Sequence, residues 1–143
     1  MSIVEGLYEY FSSCPLLALD RRINIDFLPA DKREYSISMI PSTPVVKRYL
    51  DGTTRRQQLF YFGSSEYWDQ TALQNLANSG FYEQFADWIE RQNKSRVFPE
   101  LPEGMTPEKI ECLTTGYLHS RDESGNAKYQ IQCRITYIKK GDY

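Results

Sequence analysis

The chain has 143 residues, of which 41% are hydrophobic, 14% aromatic and 25% charged. That is one domain's worth of chain, able to bury about 70% of its unfolded surface without metal or disulfide staples. Its 17 Lys and Arg against 19 Asp and Glu give a net charge of −2, which argues against a dedicated nucleic-acid binder with a basic face.

A mean hydropathy of −0.57 and the lack of a long apolar run argue against a transmembrane helix. The first ten residues hold no basic region followed by an apolar stretch, so no secretory signal is expected. Three cysteines, Cys14, Cys112 and Cys133, make an odd count, and none stands in a CxxC or zinc-ligand spacing. A reducing environment fits this pattern. Cys112 and Cys133 fall in expected strands and could face each other, although buried free thiols are the simpler reading.

Residues 2–13 read as an amphipathic helix. Ile3, Leu7 and Phe11 form a stripe that Val4 and Tyr8 widen, and Ser2 with Glu5 has the capping-box spacing. Pro15 ends it, because the residue before a proline disfavours helix. Residues 22–28 alternate around Ile23, Ile25 and Phe27, and residues 35–40 alternate around Tyr35, Ile37 and Met39, the period of strands. Residues 45–50 and 53–62 read as a hairpin around Asp51-Gly52, a favoured two-residue turn. Leu59 and Tyr61 alternate with Phe60 and Phe62, so the second strand is apolar on both faces, as for a central or interface strand.

Residues 64–93 are helical in pattern, with Leu73, Ala77, Phe81, Phe85 and Trp88 or Ile89 on one stripe. Gly80 costs about 1 kcal/mol in a helix, so a break is expected near residues 78–80. A connector with three prolines covers residues 94–107. Residues 110–120 and 128–139 then form a long hairpin with a loop over 121–127. Tyr129, Ile131, Cys133, Ile135 and Tyr137 share one face, and Gln130, Gln132, Arg134 and Thr136 the other. Short connections favour antiparallel pairing. The expected fold is a single α+β domain over 1–143, a mostly antiparallel sheet with helices packed on one face.

Candidate chemistry is sparse. The sole histidine, His119, has Ser120 and Asp122 near it, but neighbours on a strand point to opposite faces, and a solvent-facing histidine is the better reading. No phosphate loop, dinucleotide fingerprint, HExxH or nucleophile elbow occurs. Glu100, Glu103, Glu108 and Glu111 read as a solvated stretch rather than an acid/base set. No cofactor and no metal ligand set is expected. Lys47, Arg48, Arg55 and Arg56 place four cations on one hairpin, either a contact for an acidic partner or a nucleic-acid backbone, or a charged edge that blocks strand pairing. Eleven Tyr, seven Phe and two Trp are a surplus for a small core, and such residues suit interfaces. Tyr61, Tyr67 and Trp68 join the four cations as the candidate partner or oligomer surface.

Four segments carry a family resemblance: LYEYFSSCPLL over 7–17, PVVKRYLDGTTRRQQLFYFGSSEYW over 44–68, LQNLANSGFYEQFADWIERQN over 73–93 and YQIQCRITYIKK over 129–140. In this order they resemble the minor capsid or tail terminator family of long, non-contractile-tailed phages and prophages of Gram-positive bacteria. The resemblance implies an α+β virion structural protein that forms a ring, typically six-fold, on the tail tube. Such a ring stops tube polymerisation and offers a surface to the head-tail connector protein, while DNA passes through its channel without specific binding. It implies no catalytic residue and no cofactor. A heterologous ring needs two different sticky patches per subunit, which suits the aromatic surplus. A near-neutral chain suits a DNA conduit.

Three alternatives stand beside it. A head-completion or stopper protein would bind the portal side. A small transferase would need a base and nucleophile that the sequence does not supply. A binding module would use the stripe from Leu73 to Ile89 to grip a partner helix.

Overall fold

A computed structural model describes residues 1–70 and 72–141. Thr71, within the expected helical span, and residues 142 and 143 of the expected domain lie outside the described residues. Two helices and seven strands form an α+β domain in the order α1 (Ile3–Ser12), β1 (Ile23–Ile25), β2 (Tyr35–Ile40), β3 (Val45–Arg48), β4 (Thr54–Tyr67), α2 (Ala72–Ser95), β5 (Met105–Cys112), β6 (Tyr117–Arg121) and β7 (Asn126–Lys139). The sheet runs β1-β2-β4-β7-β5, with β3 also on β4 and β6 also on β7. All pairings are antiparallel except β1 with β2.

The centre is the β4–β7 pair. It runs from Thr54 opposite Lys139 to Tyr67 opposite Asn126 without a register shift. Each strand is 14 residues, about 45 Å long. The alternation expected in β7 is complete, with Tyr129, Ile131, Cys133, Ile135 and Tyr137 all buried. Opposite them in β4 stand Phe60 and Phe62, also fully buried. Both helices cover this face. Phe85 of α2 stacks on Phe62 at a centroid distance of 4.6 Å, and Phe11 of α1 packs against it tilted by 45° at 5.4 Å. The ring cluster extends through Tyr10, Trp88, Tyr35 and Tyr82. The aromatic surplus is therefore largely core.

Helix α1 begins as expected. Ser2 Oγ accepts the Glu5 amide at 3.2 Å, and Gly6 brings the helix so close to the chain at Glu100 that a Cβ would sit 2.0 Å from that carbonyl oxygen. Strand β2 has its expected bounds. Strand β1 is shorter than expected.

Four expectations are corrected. Residues 64–67 are strand and not helix, because β7 supplies ladder partners as far as Tyr67. Helix α2 then runs unbroken through Gly80, where nothing approaches within 4 Å. The turn of the β3–β4 hairpin is not a two-residue one. Gly52 N–H donates to Tyr49 O and Tyr49 N–H to Thr53 O, and of the Asp-Gly pair only Gly52 has positive φ, giving a turn closed by a left-handed glycine. The strand expected over 110–120 is two strands, β5 and β6, both paired to the same edge of β7.

The buried stripe of α2 also shifts. It runs through Asn78, Tyr82, Phe85, Trp88 and Ile89, while Leu73 is 81% exposed. Tyr82 is the polar anchor of this stripe. Its hydroxyl lies 2.7 Å from Ser64 Oγ and donates to Tyr129 O at 3.1 Å. It thus bonds helix to both central strands, and burial pushes its acidity far down. Gly116 packs flat on its ring, where a Cβ would come within 2.3 Å of the Tyr82 side chain. Replacing Tyr82 by Phe keeps the ring but leaves Tyr129 O without this donor and the Ser64 hydroxyl without its partner. The expected cost is about 1–3 kcal/mol, read as a lower urea midpoint at unchanged slope.

Candidate assembly surfaces

The seven residues singled out in sequence do not form one surface. Lys47 and Arg48 sit exposed on β3, with the Lys47 ammonium 5.2 Å from the Tyr49 ring centroid. Arg55 and Arg56 are neighbours on a strand and so face opposite sides of the sheet. Arg55 pairs with Glu108 at 3.0 Å. Arg56 Nε donates to Thr54 Oγ1 at 3.0 Å, opposite Tyr137. Only Lys47 and Arg48 of the four cations lack an ion pair or side-chain hydrogen bond among the described residues.

Tyr61 lies half-buried on the helix-free face, opposite Gln132 and Ser38. Tyr67 and Trp68 are at the far end of β4, each under a guanidinium. Arg33 stands 4.2 Å over Tyr67 and Arg121 4.0 Å over Trp68. Hydrogen bonds tie the same loops: the Trp68 backbone N–H donates to Gly125 O, and the Arg33 guanidinium to Asn126 Oδ1.

Two surfaces do stand out, on opposite edges of the sheet. The first is the tip of the β3–β4 hairpin. Tyr49, 36% exposed, and Leu50, wholly free of its own chain, stand at the turn just beyond Lys47 and Arg48, and Val46, 55% exposed, lies at the β3 bulge before them.

The second is a groove of about 1020 Å³ between α2 and residues 109–116. Ala86, Cys112 and Leu113 line it, and Glu83, Asp87 and Glu90 rim it from the helix. Their spacing of four and three residues keeps the three carboxylates on one helix face, and none has an ion pair among the described residues. Asn93 fixes the groove's width at one end. Its side-chain amide donates to Ile110 O, and its Oδ1 accepts the Ile110 amide at 2.9 Å, a side-chain clamp between helix and edge strand. Sequence reasoning passed over this groove. The acids of α2 look like an ordinary solvated face until residues 109–116 are laid beside them.

At the floor's edge Cys133 donates to Cys112, with Sγ atoms 3.9 Å apart. Both thiols are free, and the two residues are ladder partners. Burial raises Cys133, while the thiol it donates lowers Cys112. Of the four glutamates near the prolines, Glu108 and Glu111 are ion-paired, and Glu100 and Glu103 are exposed. His119 is exposed on β6, its Nδ1 3.4 Å from Ser120 Oγ, and no carboxylate bonds to it among the described residues. No group of three His, Cys, Asp or Glu converges to hold a metal among those residues.

No protein-family model matches the chain, and no curated protein matches it. No helix among the described residues is long and apolar enough to cross a membrane.

Glu111 provides a test of local electrostatics. Partial burial opposes its charge, but bonds from Arg134, whose Nε is 3.0 Å away, and from Lys109 outweigh this and hold the carboxyl below its usual value. A depressed folded value means that the stabilisation is present above the unfolded value near ~4.3 and is lost as pH falls through the folded one. Glu111→Gln is expected to cost under about 1 kcal/mol at neutral pH. The gap from the parent closes below about pH 4, as urea denaturation across pH would show.

Proposed function

We propose that this chain is a phage virion structural protein, a tail terminator that forms a ring on the finished tail tube, halts its polymerisation and presents a face to the head-tail connector. The observation that carries the reading is the pair of unlike, exposed surfaces on opposite edges of one sheet. A subunit with two different patches associates head to tail, and such contacts close into rings when the rotation allows. The family resemblance supplies the setting, and its four segments supply α1, the β3–β4 hairpin, α2 and β7. The ring, six-fold by that resemblance, would leave a channel through which DNA passes. The proposed site of action is the virion neck, reached from the host cytoplasm, with no cofactor and no turnover.

Two measurements test it. Light scattering after size exclusion is expected to show mass rising with concentration to a discrete multiple near six. Added to polymerising tube protein of the same virus, the chain is expected to arrest growth and decorate tube ends in negative-stain images. Capture by portal protein in place of tube would reassign it as a stopper. Tubes that grow unchecked and carry nothing at their ends would sink the terminator reading.

A further inference from the structure

We propose that the β3–β4 hairpin of one copy seats in the α2 groove of the next, and that this is the contact between neighbouring subunits. The inference rests on the self-assembly reading above and names the surfaces that perform it.

Three observations converge. The first is charge. Among the described residues, Lys47 and Arg48 of the hairpin and Glu83, Asp87 and Glu90 of the groove have no ion pair. The hairpin stays net positive with Asp51 at its turn, and the groove stays net negative with Lys109 held by Glu111 at 3.2 Å; opposite patches steer and fix the register of an association.

The second is shape and polarity. Leu50 at the turn and Val46 at the β3 bulge each have more than half their surface in water. Ala86 and Leu113 lie in a groove of about 1020 Å³, and Leu113 is itself 39% exposed. Seating the hairpin there removes apolar area from water on both sides, while its cations meet the acidic rim. The third is placement. The hairpin hangs on β4 at the β2 side, and the groove borders β5 beyond β7. The two cannot satisfy each other within one copy without crossing the central pair. Between copies they make a heterologous contact that leaves a hairpin free at one end and a groove free at the other.

A second apolar cleft, lined by Val4, Glu5, Tyr8, Glu9 and Ile25, holds about 310 Å³, less than a third of the α2 groove. The helix-free face is sealed at one end by residues 28–34, where Ser65 Oγ donates to Ala30 O and Ser65 N–H to Glu34 O. Leu73 and Leu76 are exposed at the start of α2, with no complementary surface beside them.

A charge exchange tests the contact. Lys47→Glu/Arg48→Glu in one variant and Glu83→Lys/Asp87→Lys in another each set like charge against like. Each alone is expected to raise the dissociation constant by about ten- to a hundredfold. Mixing the two variants one to one matches every hairpin to a groove of opposite sign, and is expected to restore assembly with alternating subunits. Leu50→Asp, at a side chain that touches nothing in its own fold, is expected to weaken association without shifting thermal stability.

Either variant assembling alone like the parent would overturn the contact, as would a mixture that stays dissociated. A parent chain that is monomeric at every concentration overturns it as well. Tube-end capture still decides the terminator reading in each case, so the two ideas fail separately. Loss of tube capture with self-association intact would assign the hairpin or groove to the tube instead.

Discussion

The uninterrupted β4–β7 ladder is the constraint on which this fold depends. Fourteen positions pair in register, and a slip of one residue would set the six buried β7 residues against the wrong face of β4 and part them from Phe60 and Phe62. Everything else is hung on these two strands. β2 and β3 share the outer edge of β4, and β5 and β6 share the outer edge of β7. The register shifts all lie in the outer pairings, at Val45/Lys47, Pro107/Lys109 and Leu118/Ser120. A straight centre with short, bulged margins discourages edge-to-edge strand addition. Association at these edges must therefore go through side chains, as a knob and a groove do.

The helices bind to this platform by two kinds of interaction. Aromatic packing provides most of the area, through Phe11, Phe62, Phe85 and Trp88. Directional bonds then fix the register of α2 along the sheet. Asn78 Nδ2 donates to Tyr67 O, Tyr82 reaches Tyr129 O, and Asn93 clamps Ile110. These three contacts are spaced along one face of the helix. Apolar packing alone tolerates sliding, whereas an orphaned buried carbonyl or amide does not.

Local signals in the sequence account for much of this fold. The Ser2 cap, the bounds of β2 and the strict alternation of β7 depend on neighbours within a few residues, and each was legible. What depends on distant partners was not. Residues 64–67 carry no strand signal of their own and are held extended by residues 126–129 of β7. Gly80 carries a real helix penalty, but α2 is anchored on both sides of it and the position opens to space. The candidate surface was legible in the same uneven way. Lys47 and Arg48 lie on a hairpin that can be read locally. The groove is made by α2 and residues 109–116, distant in sequence and brought together by the Asn93–Ile110 clamp and by Gly116 against Tyr82. Arg55 and Arg56 were grouped with the hairpin cations by sequence proximity, but the pleat sends them to different faces and different partners.

Rigidity links the fold to the proposed assembly. A closed ring demands one fixed rotation from subunit to subunit, and an error per contact accumulates until the ring cannot close. In this chain the hairpin and the groove are separated by the width of the sheet, and the strands between them are the unbroken β4–β7 pair. The angle between the two surfaces is thus set by backbone hydrogen bonds and not by a flexible linker. The groove's own geometry is held by the Asn93 clamp and by Gly116 lying flat on Tyr82. The hairpin is tied at its base to the far edge by Arg55 and Glu108. Its turn is tied by Gly141, which lies so close to Gly52 that a Cβ would meet that backbone at 2.5 Å. Each contact surface is anchored across the central pair, so the geometry of a head-to-tail contact is built into the same ladder that organises the core.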